Sequence, residues 1–292
     1  MSDTQHASPL RYPGGKGRLA PFLIEVLKAN GLKRPHYVEP YAGGAGAALH
    51  LLFDEYVETI TINDADDCIR CMWFAITHHN ERFLEAIQNV PVSIRQWTKQ
   101  RRIYKARDTS KPFELGFATF FLNRTSRSGI VRDGGPIGGH DQTGRFLVDA
   151  RFYRDSLCER IERIGRYRHR ILVTNRDGLS LLRQLNRRRH AIPTFAFIDP
   201  PYFVKGAQLY MNAFKPEQHE ALAGFLTAPV GFSWVMTYDN VPAIRKLYSG
   251  MNTTAFDLSY SAFERRAGEE LLIYPDEVAI SRHARKALRE AA

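Results

Sequence analysis

Short apolar runs rich in β-branched residues alternate along the chain with stretches whose apolar positions recur at helical spacing. Residues 36–40 (HYVEP) read as a buried strand, and residues 42–53 open a helix through a glycine-rich turn. Residues 58–64 (ETITIND) form a second strand that ends in the polar pair Asn63-Asp64, with a helix over about 66–78. Further strands are expected at 170–175, 194–202, 231–238, 253–260 and 269–275, with helical patterns at 176–188 and 216–226. This alternation predicts an α/β fold, a mostly parallel sheet with helices on both faces. Right-handed crossovers then gather the strand C-termini, where the polar residues fall, along one edge. That edge is the expected site.

The middle of the chain breaks the alternation. Residues 81–165 hold helical patterns and a long polar loop, with no convincing buried strand. Within 95–111 stand Arg95, Lys99, Arg101, Arg102, Lys105, Arg107 and Lys111 against one acid, Asp108. Residues 124–144 are too glycine-rich for regular structure and too long for an idle loop. The pattern predicts an inserted, basic, mostly helical subdomain over 81–165, with 1–80 and 166–292 forming the main domain. The final ARKALREAA reads as a charged helical end on a solvated tail.

Composition narrows the partners. The 292 residues are 44% hydrophobic and 25% charged, an ordinary globular balance that excludes a disordered or collagen-like chain. Lys and Arg number 41 against 31 Asp and Glu, a formal charge of +10, which favours a polyanion such as nucleic acid or an acidic membrane surface. Three cysteines are too few for a disulfide framework, so a reducing, cytoplasmic setting is expected. The start has no apolar signal region, and no run approaches the ~20 apolar residues that span a bilayer. Cys68 and Cys71 have C-x-x-C spacing, but no second Cys or His pair completes a zinc site. Sharing one helix face, they read as buried thiols, and no metal is expected.

Three constellations carry chemistry. In VEPYAGGAGAALHLL, Gly43, Gly44 and Gly46 follow a strand and precede a helix N-terminus, so the backbone can approach a ligand. The dinucleotide fingerprint fails because Leu49 occupies the third glycine position, and no G-K-[ST] follows to make a phosphate loop. Glu39 before the turn and Asp64 ending the next strand suit a nucleoside without a pyrophosphate, with Asp64 at the ribose hydroxyls. The second constellation is Asp199-Pro200-Pro201-Tyr202 at a strand end. Its prolines donate no backbone hydrogen bonds, leaving carbonyls free to accept, beside a carboxylate and a ring. Such a site takes a flat base bearing an amino group: the ring stacks while the oxygens accept the amino hydrogens. Those hydrogen bonds localise the nitrogen lone pair as it attacks, a stabilisation that grows toward the transition state. The third is LRYPGGKG, where Lys16 and the ring of Tyr12 can reach a carboxylate and an adenine; taken alone, a surface lysine in a turn is the plainer account.

Taken together, RYPGGKG, EPYAGGAGAALHL, TINDADD, FFLNRTSRSGI, VTNRDGLSLL, IDPPYF and VMTYDN resemble, in order, the Dam-type class of adenine-specific DNA methyltransferases. The resemblance extends over about residues 10–275. It implies a Rossmann-like methyltransferase core, S-adenosylmethionine as cofactor, double-stranded DNA as substrate, and a DNA-recognition insert. By motif, Tyr12 and Lys16 would contact the cofactor, Gly43, Gly44 and Gly46 would pass beneath its methionine moiety, and Asp64 would hold its ribose. Asp177 would sit near its adenine, although a helix N-cap suits that residue too. Asp199, Pro200 and Tyr202 would bind and orient the target base. Pro13 stands where relatives often carry a small residue, and the insert matches only through its first half, so a sequence preference does not transfer.

The expected reaction is direct displacement on a flipped-out base, with no metal and no covalent intermediate. Arg101 and Arg102 on the basic helix would neutralise phosphates, while Asn123, Arg124, Arg127 and Arg132 are candidates for base contacts or for filling the gap that flipping leaves. Methylation of the cytosine amino group and a non-catalytic DNA-binding role remain alternatives. The resemblance admits a cognate restriction enzyme as a partner and leaves the oligomeric state open.

Overall fold

The structure, a computed structural model, describes residues 7–11, 16–187, 191–203, 214–259 and 267–291. Its strands are β1 (His36–Glu39), β2 (Thr59–Asn63), β3 (Ile171–Thr174), β4 (Thr194–Ile198), β5 (Ser233–Asp239), β6 (Asn252–Ser259) and β7 (Ala267–Tyr274). They form one sheet in the order β3-β2-β1-β4-β5-β7-β6. β1 to β5 run parallel, and β7 lies antiparallel between β5 and β6. Helices α1 (Ala20–Ala29), α2 (Gly46–Phe53), α3 (Asp67–His78), α4 (Asn80–Asn89), α5 (Ile94–Ala106), α6 (Pro112–Thr125) and α7 (Arg154–Arg166) precede β3. After it come α8 (Gly178–Arg187), α9 (Pro216–Leu226), α10 (Pro242–Leu247) and α11 (Arg282–Glu290).

Successive strand residues point to opposite faces, and both faces are covered. Tyr37, Phe195, Phe197, Val235 and Leu272 enter one core with side chains of α1 to α7 and α11. Val38, Ala196, Ile198, Trp234 and Met236 enter the other, roofed by α8, α9 and α10. The α/β sheet with helices on both sides is therefore as the sequence predicts.

The middle of the chain is helical among the described residues, and Phe83, Phe113, Phe117, Phe120, Phe121 and Ile161 join the cluster that holds Tyr37 and Phe195. The cause is α6, which is buried from Leu115 to its end because it is apolar on nearly every side. It packs on α3 so closely that a Cβ on Gly116 would collide with the backbone of Cys71 and Met72. The chain's end departs from a solvated tail. Ala284 and Leu288 of α11 are buried, α11 lies on α1, and Asn30 brackets the backbone of Ala279 with bonds of 2.9 and 3.0 Å. Two apolar residues four apart were enough to dock a helix that is otherwise charged.

Cys68, Cys71 and Cys158 are buried free thiols, and among the described residues no cluster of His, Cys, Asp and Glu suits a metal. Among the same residues, no helix is long and apolar enough to cross a membrane.

Candidate active site

The strand order reverses direction between β1 and β4, and open α/β sheets bind ligands in the crevice beyond the strand C-termini at such a point. The glycine turn follows β1, and Asp199-Pro200-Pro201-Tyr202 follows β4. Topology alone therefore brings the two motifs to one place.

Gly43 has φ +47° and Ala45 has φ +46°, so the turn passes twice through the left-handed region before α2 begins. Ala45 has no side-chain acceptor with which to cap α2. Glu39 replaces it: its Oε1 accepts from the Ala48 amide (2.9 Å) and the Tyr37 hydroxyl (3.1 Å). Burial pushes the Glu39 carboxyl up to about 8, against the pull of those two bonds. Glu39 thereby fixes the start of α2 and the shape of the turn. Asp64 accepts from the Gly43 amide at Oδ2 (3.0 Å) and from the Asp66 amide at Oδ1 (2.9 Å). Burial raises it to about 6. Each of its oxygens keeps a second lone pair that suits a ribose hydroxyl. Gly44 is buried in the turn, and the Gly43 carbonyl accepts from Trp73 Nε1 at 2.9 Å.

Gly46 makes room for a neighbouring turn. A Cβ there would stand 3.2 Å from the backbone of Gly17, so the glycine admits the 3-10 turn Lys16–Leu19 against α2. Asp177 is exposed and accepts from the Ser180 amide at 2.9 Å, the N-cap arrangement weighed for it from sequence. Tyr41, beside the turn, lies against Gly178 with its hydroxyl buried and without a hydrogen-bond partner among the described residues. An orphaned phenol, a backbone cradle and an acidic group at the turn fit a nucleoside cofactor such as S-adenosylmethionine. Tyr12 lies outside the described residues.

The second half of the site is a buried charge cluster. The Lys16 ammonium donates to Glu270 on β7 at 2.9 and 3.2 Å and to the Tyr202 hydroxyl, and stands 3.3 Å from Asp199 Oδ1. Tyr202 in turn donates to Glu270 Oε1. Thr237 donates to Asp199 Oδ1 at 2.7 Å, and the Phe203 amide donates to Asp239 at 2.9 Å, fastening the exit of the proline segment to the end of β5. Burial opposes the charge on Lys16, but Asp199 and Glu270 outweigh it and raise its affinity for the proton. Asp199 is raised to about 6, by burial first and by Glu270, with Lys16 pulling it down. Lys16 is thus turned to the Asp199 side of the crevice.

The expected DNA-contacting residues separate into two sets. Asn123 and Arg124 are buried. Asn123 accepts from the Arg11 amide and donates to the Arg11 and Gly129 carbonyls (2.8, 2.8 and 2.9 Å), while Arg124 donates to the Arg151 carbonyl at 2.9 and 2.6 Å. Both hold loops together. Arg102, Arg127 and Arg132 are exposed. Arg101 is half-buried, its guanidinium donating to the Val131 and Arg132 carbonyls.

Sequence reasoning missed Glu270, Thr237 and Asp239. Thr237 and Asp239 lie in VMTYDN, on the strand next to β4, and Glu270 interrupts a strand that continues Leu271-Leu272-Ile273. An acid in such a strand demands a buried partner, which was the available signal.

Comparison with known proteins agrees with this geometry. The sequence model of the D12 class N6 adenine-specific DNA methyltransferases matches residues 12–261. None of the curated proteins compared with the chain matches it. Because the family's chemistry is N6 methylation of adenine in DNA, the cytosine and non-catalytic alternatives fall away. From one sheet edge, one proline-bounded carboxylate and a match over most of the sequence, the conclusion is that this chain belongs to the D12 class N6 adenine-specific DNA methyltransferase family.

Proposed function

We propose that the chain carries out its family's reaction, methyl transfer from S-adenosylmethionine to the amino nitrogen of a flipped-out adenine, in the crevice between the glycine turn and Asp199-Pro200-Pro201-Tyr202. The observation that carries this assignment is the meeting of the two motifs beyond β1 and β4, at the reversal of strand order. Bound there, the cofactor supplies a methyl group on a sulfonium, an already activated leaving group. Gly43 and Gly44 cradle it through their backbone, and Asp64 receives its ribose hydroxyls. Asp199 and the Pro200 carbonyl accept the two hydrogens of the target amine, which localises the nitrogen lone pair. Asp199 then takes the proton that the methylated nitrogen releases. The Tyr202 ring carries the purine, a stack worth about 1–3 kcal/mol against the few kcal/mol that unstacking costs.

DNA lies, in this reading, along the helical region. Arg95, Lys99 and Arg102 line a shallow cavity of about 630 Å³ on α5. A second, of about 650 Å³, is lined by Phe146, Arg151, Tyr153 and Arg154. Phe146 and Tyr153 are exposed, and Arg145 and Arg151 lie over the Phe146 ring. The Trp97 indole of α5 donates to Ser126, and Arg11 donates to the Ser126 carbonyl, so this surface is joined to the segment that leads to Lys16. The work is done in the cytoplasm, and a companion restriction enzyme is testable by searching neighbouring genes.

Replacing Asp199 by Ala should lower adenine methylation at least a thousandfold while the thermal transition stays cooperative. In the wild type, the rate should rise with pH through about 6, because only the ionised carboxylate accepts both an amine hydrogen and the released proton. Methylation by Asp199→Ala near the wild-type level would end the assignment.

A further inference from the structure

Two carboxylates, Asp199 and Glu270, surround one ammonium, Lys16, in a cluster almost closed to water. Glu270 is 1% exposed and Lys16 7%. A carboxylate buried to that degree is retained only with a partner. Charge balance for Lys16 needs one acid, and the two acids do not share it equally. Glu270 offers both oxygens, at 2.9 and 3.2 Å, whereas Asp199 offers one at 3.3 Å. Glu270 also accepts from Tyr202, so one carboxylate holds both the lysine and the Tyr202 hydroxyl. β7 places it there by register: Glu270 pairs with Asp239, whose carboxylate holds the Phe203 amide just past Tyr202.

Resting on the site assignment above, we propose that Glu270 is a positioning residue for methyl transfer. It binds Lys16 and the Tyr202 hydroxyl so that Lys16 offsets the negative charge of Asp199 only in part and the rest stays available to the target amine. Without Glu270, Lys16 closes onto Asp199 as its sole counter-ion, and Tyr202 loses its anionic anchor.

Glu270→Gln preserves shape and removes the charge. At saturating DNA and cofactor, its kcat should fall by about tenfold or more, since a small displacement of a reacting group has that effect. Cofactor affinity measured by calorimetry should stay within about threefold, because Glu270 acts through Lys16 and Tyr202 on the target side. The pH profile gives the sharper reading. The charged and titratable groups facing Asp199 are Lys16 ahead of α1, Tyr37 and Glu39 on β1, Tyr238 on β5, and Glu270 on β7. Only the last changes in the variant. Loss of its negative charge, with Lys16 drawn toward Asp199, lowers the Asp199 pKa, so the acid limb of kcat should move to lower pH by about half a unit or more. Titration of carboxyl-labelled aspartate by NMR in the cofactor-free protein should show the same displacement. Glu270→Asp keeps the charge with a shorter reach and should fall between, with its acid limb near the wild-type position. Wild-type kcat and an unmoved limb in Glu270→Gln would overturn the proposal. So would a fall in kcat that tracks lost thermal stability while the limb and the NMR titration stay fixed. An active Asp199→Ala would instead remove the site assignment, whatever Glu270→Gln does.

Discussion

At the sheet edge, Lys16 and Glu270 are buried, Asp199 is mostly covered, and both carboxylates pair with the lysine, whereas Arg95, Lys99, Arg102 and Lys105 stand exposed on successive turns of α5. Charges held in a dry cluster lose hydration and gain fixed direction, which is what aligning an amine on a methyl group requires. Charges left in water keep their hydration and act over a Debye length, about 8 Å in physiological salt, which suits capture of a duplex before its register is set. The same residue types therefore do different work according to burial. Asn123 and Arg124 show the boundary: within the basic region they are buried, and they behave as fasteners.

The largest expected effects lie in the dry cluster. Tyr202→Ala removes both the ring and the hydroxyl that ties Lys16 to Glu270, and should lower adenine methylation by about a hundredfold to a thousandfold. Tyr202→Phe keeps the stacking surface and should lose about tenfold or less. The two variants separate ring from hydroxyl in a steady-state methylation assay. Equal losses in both would show that the ring carries no base.

How much of this was legible follows the same division. Short apolar strands, the glycine turn and Asp199-Pro200-Pro201-Tyr202 could be read because each depends on local pattern, and topology then brings the two motifs to one crevice. Glu270 could not be assigned, because its partners lie on the 3-10 turn at Lys16 and beyond β4, and no local pattern encodes those contacts. The approach of Gly17 to Gly46 was hidden for a related reason: a glycine needed for close backbone approach looks, in sequence, like one needed for a ligand. That residues 81–165 share a core with the sheet could not be read, because composition does not reveal that α6 packs on α3 and α5.

That shared core makes the second comparison testable. Gly116→Ala would press a methyl group into the Cys71 backbone and should cost about 1–3 kcal/mol. If the sheet and the helical region are one cooperative unit, calorimetry should show a single transition moved to lower temperature. Two resolved transitions, with only one displaced, would restore the separate subdomain.

The mildest effect belongs to the exposed charges. Arg95, Lys99 and Arg102 are exposed along one side of α5, and each phosphate neutralised contributes about −0.9 to the slope of log affinity against log salt. Replacing all three with Gln should flatten that slope by about 2–3, so that the loss of DNA affinity grows as the salt is lowered. Because phosphate contacts carry no sequence information, the preferred methylation site should stay the same, and kcat at saturating DNA should stay close to wild type. Titrations of duplex DNA at several salt concentrations give the slope, and sequencing of methylated adenines gives the preference. A triple variant with an unchanged slope would mean that this face of α5 points away from the duplex, and the charge contrast between the two regions would then have no bearing on DNA capture.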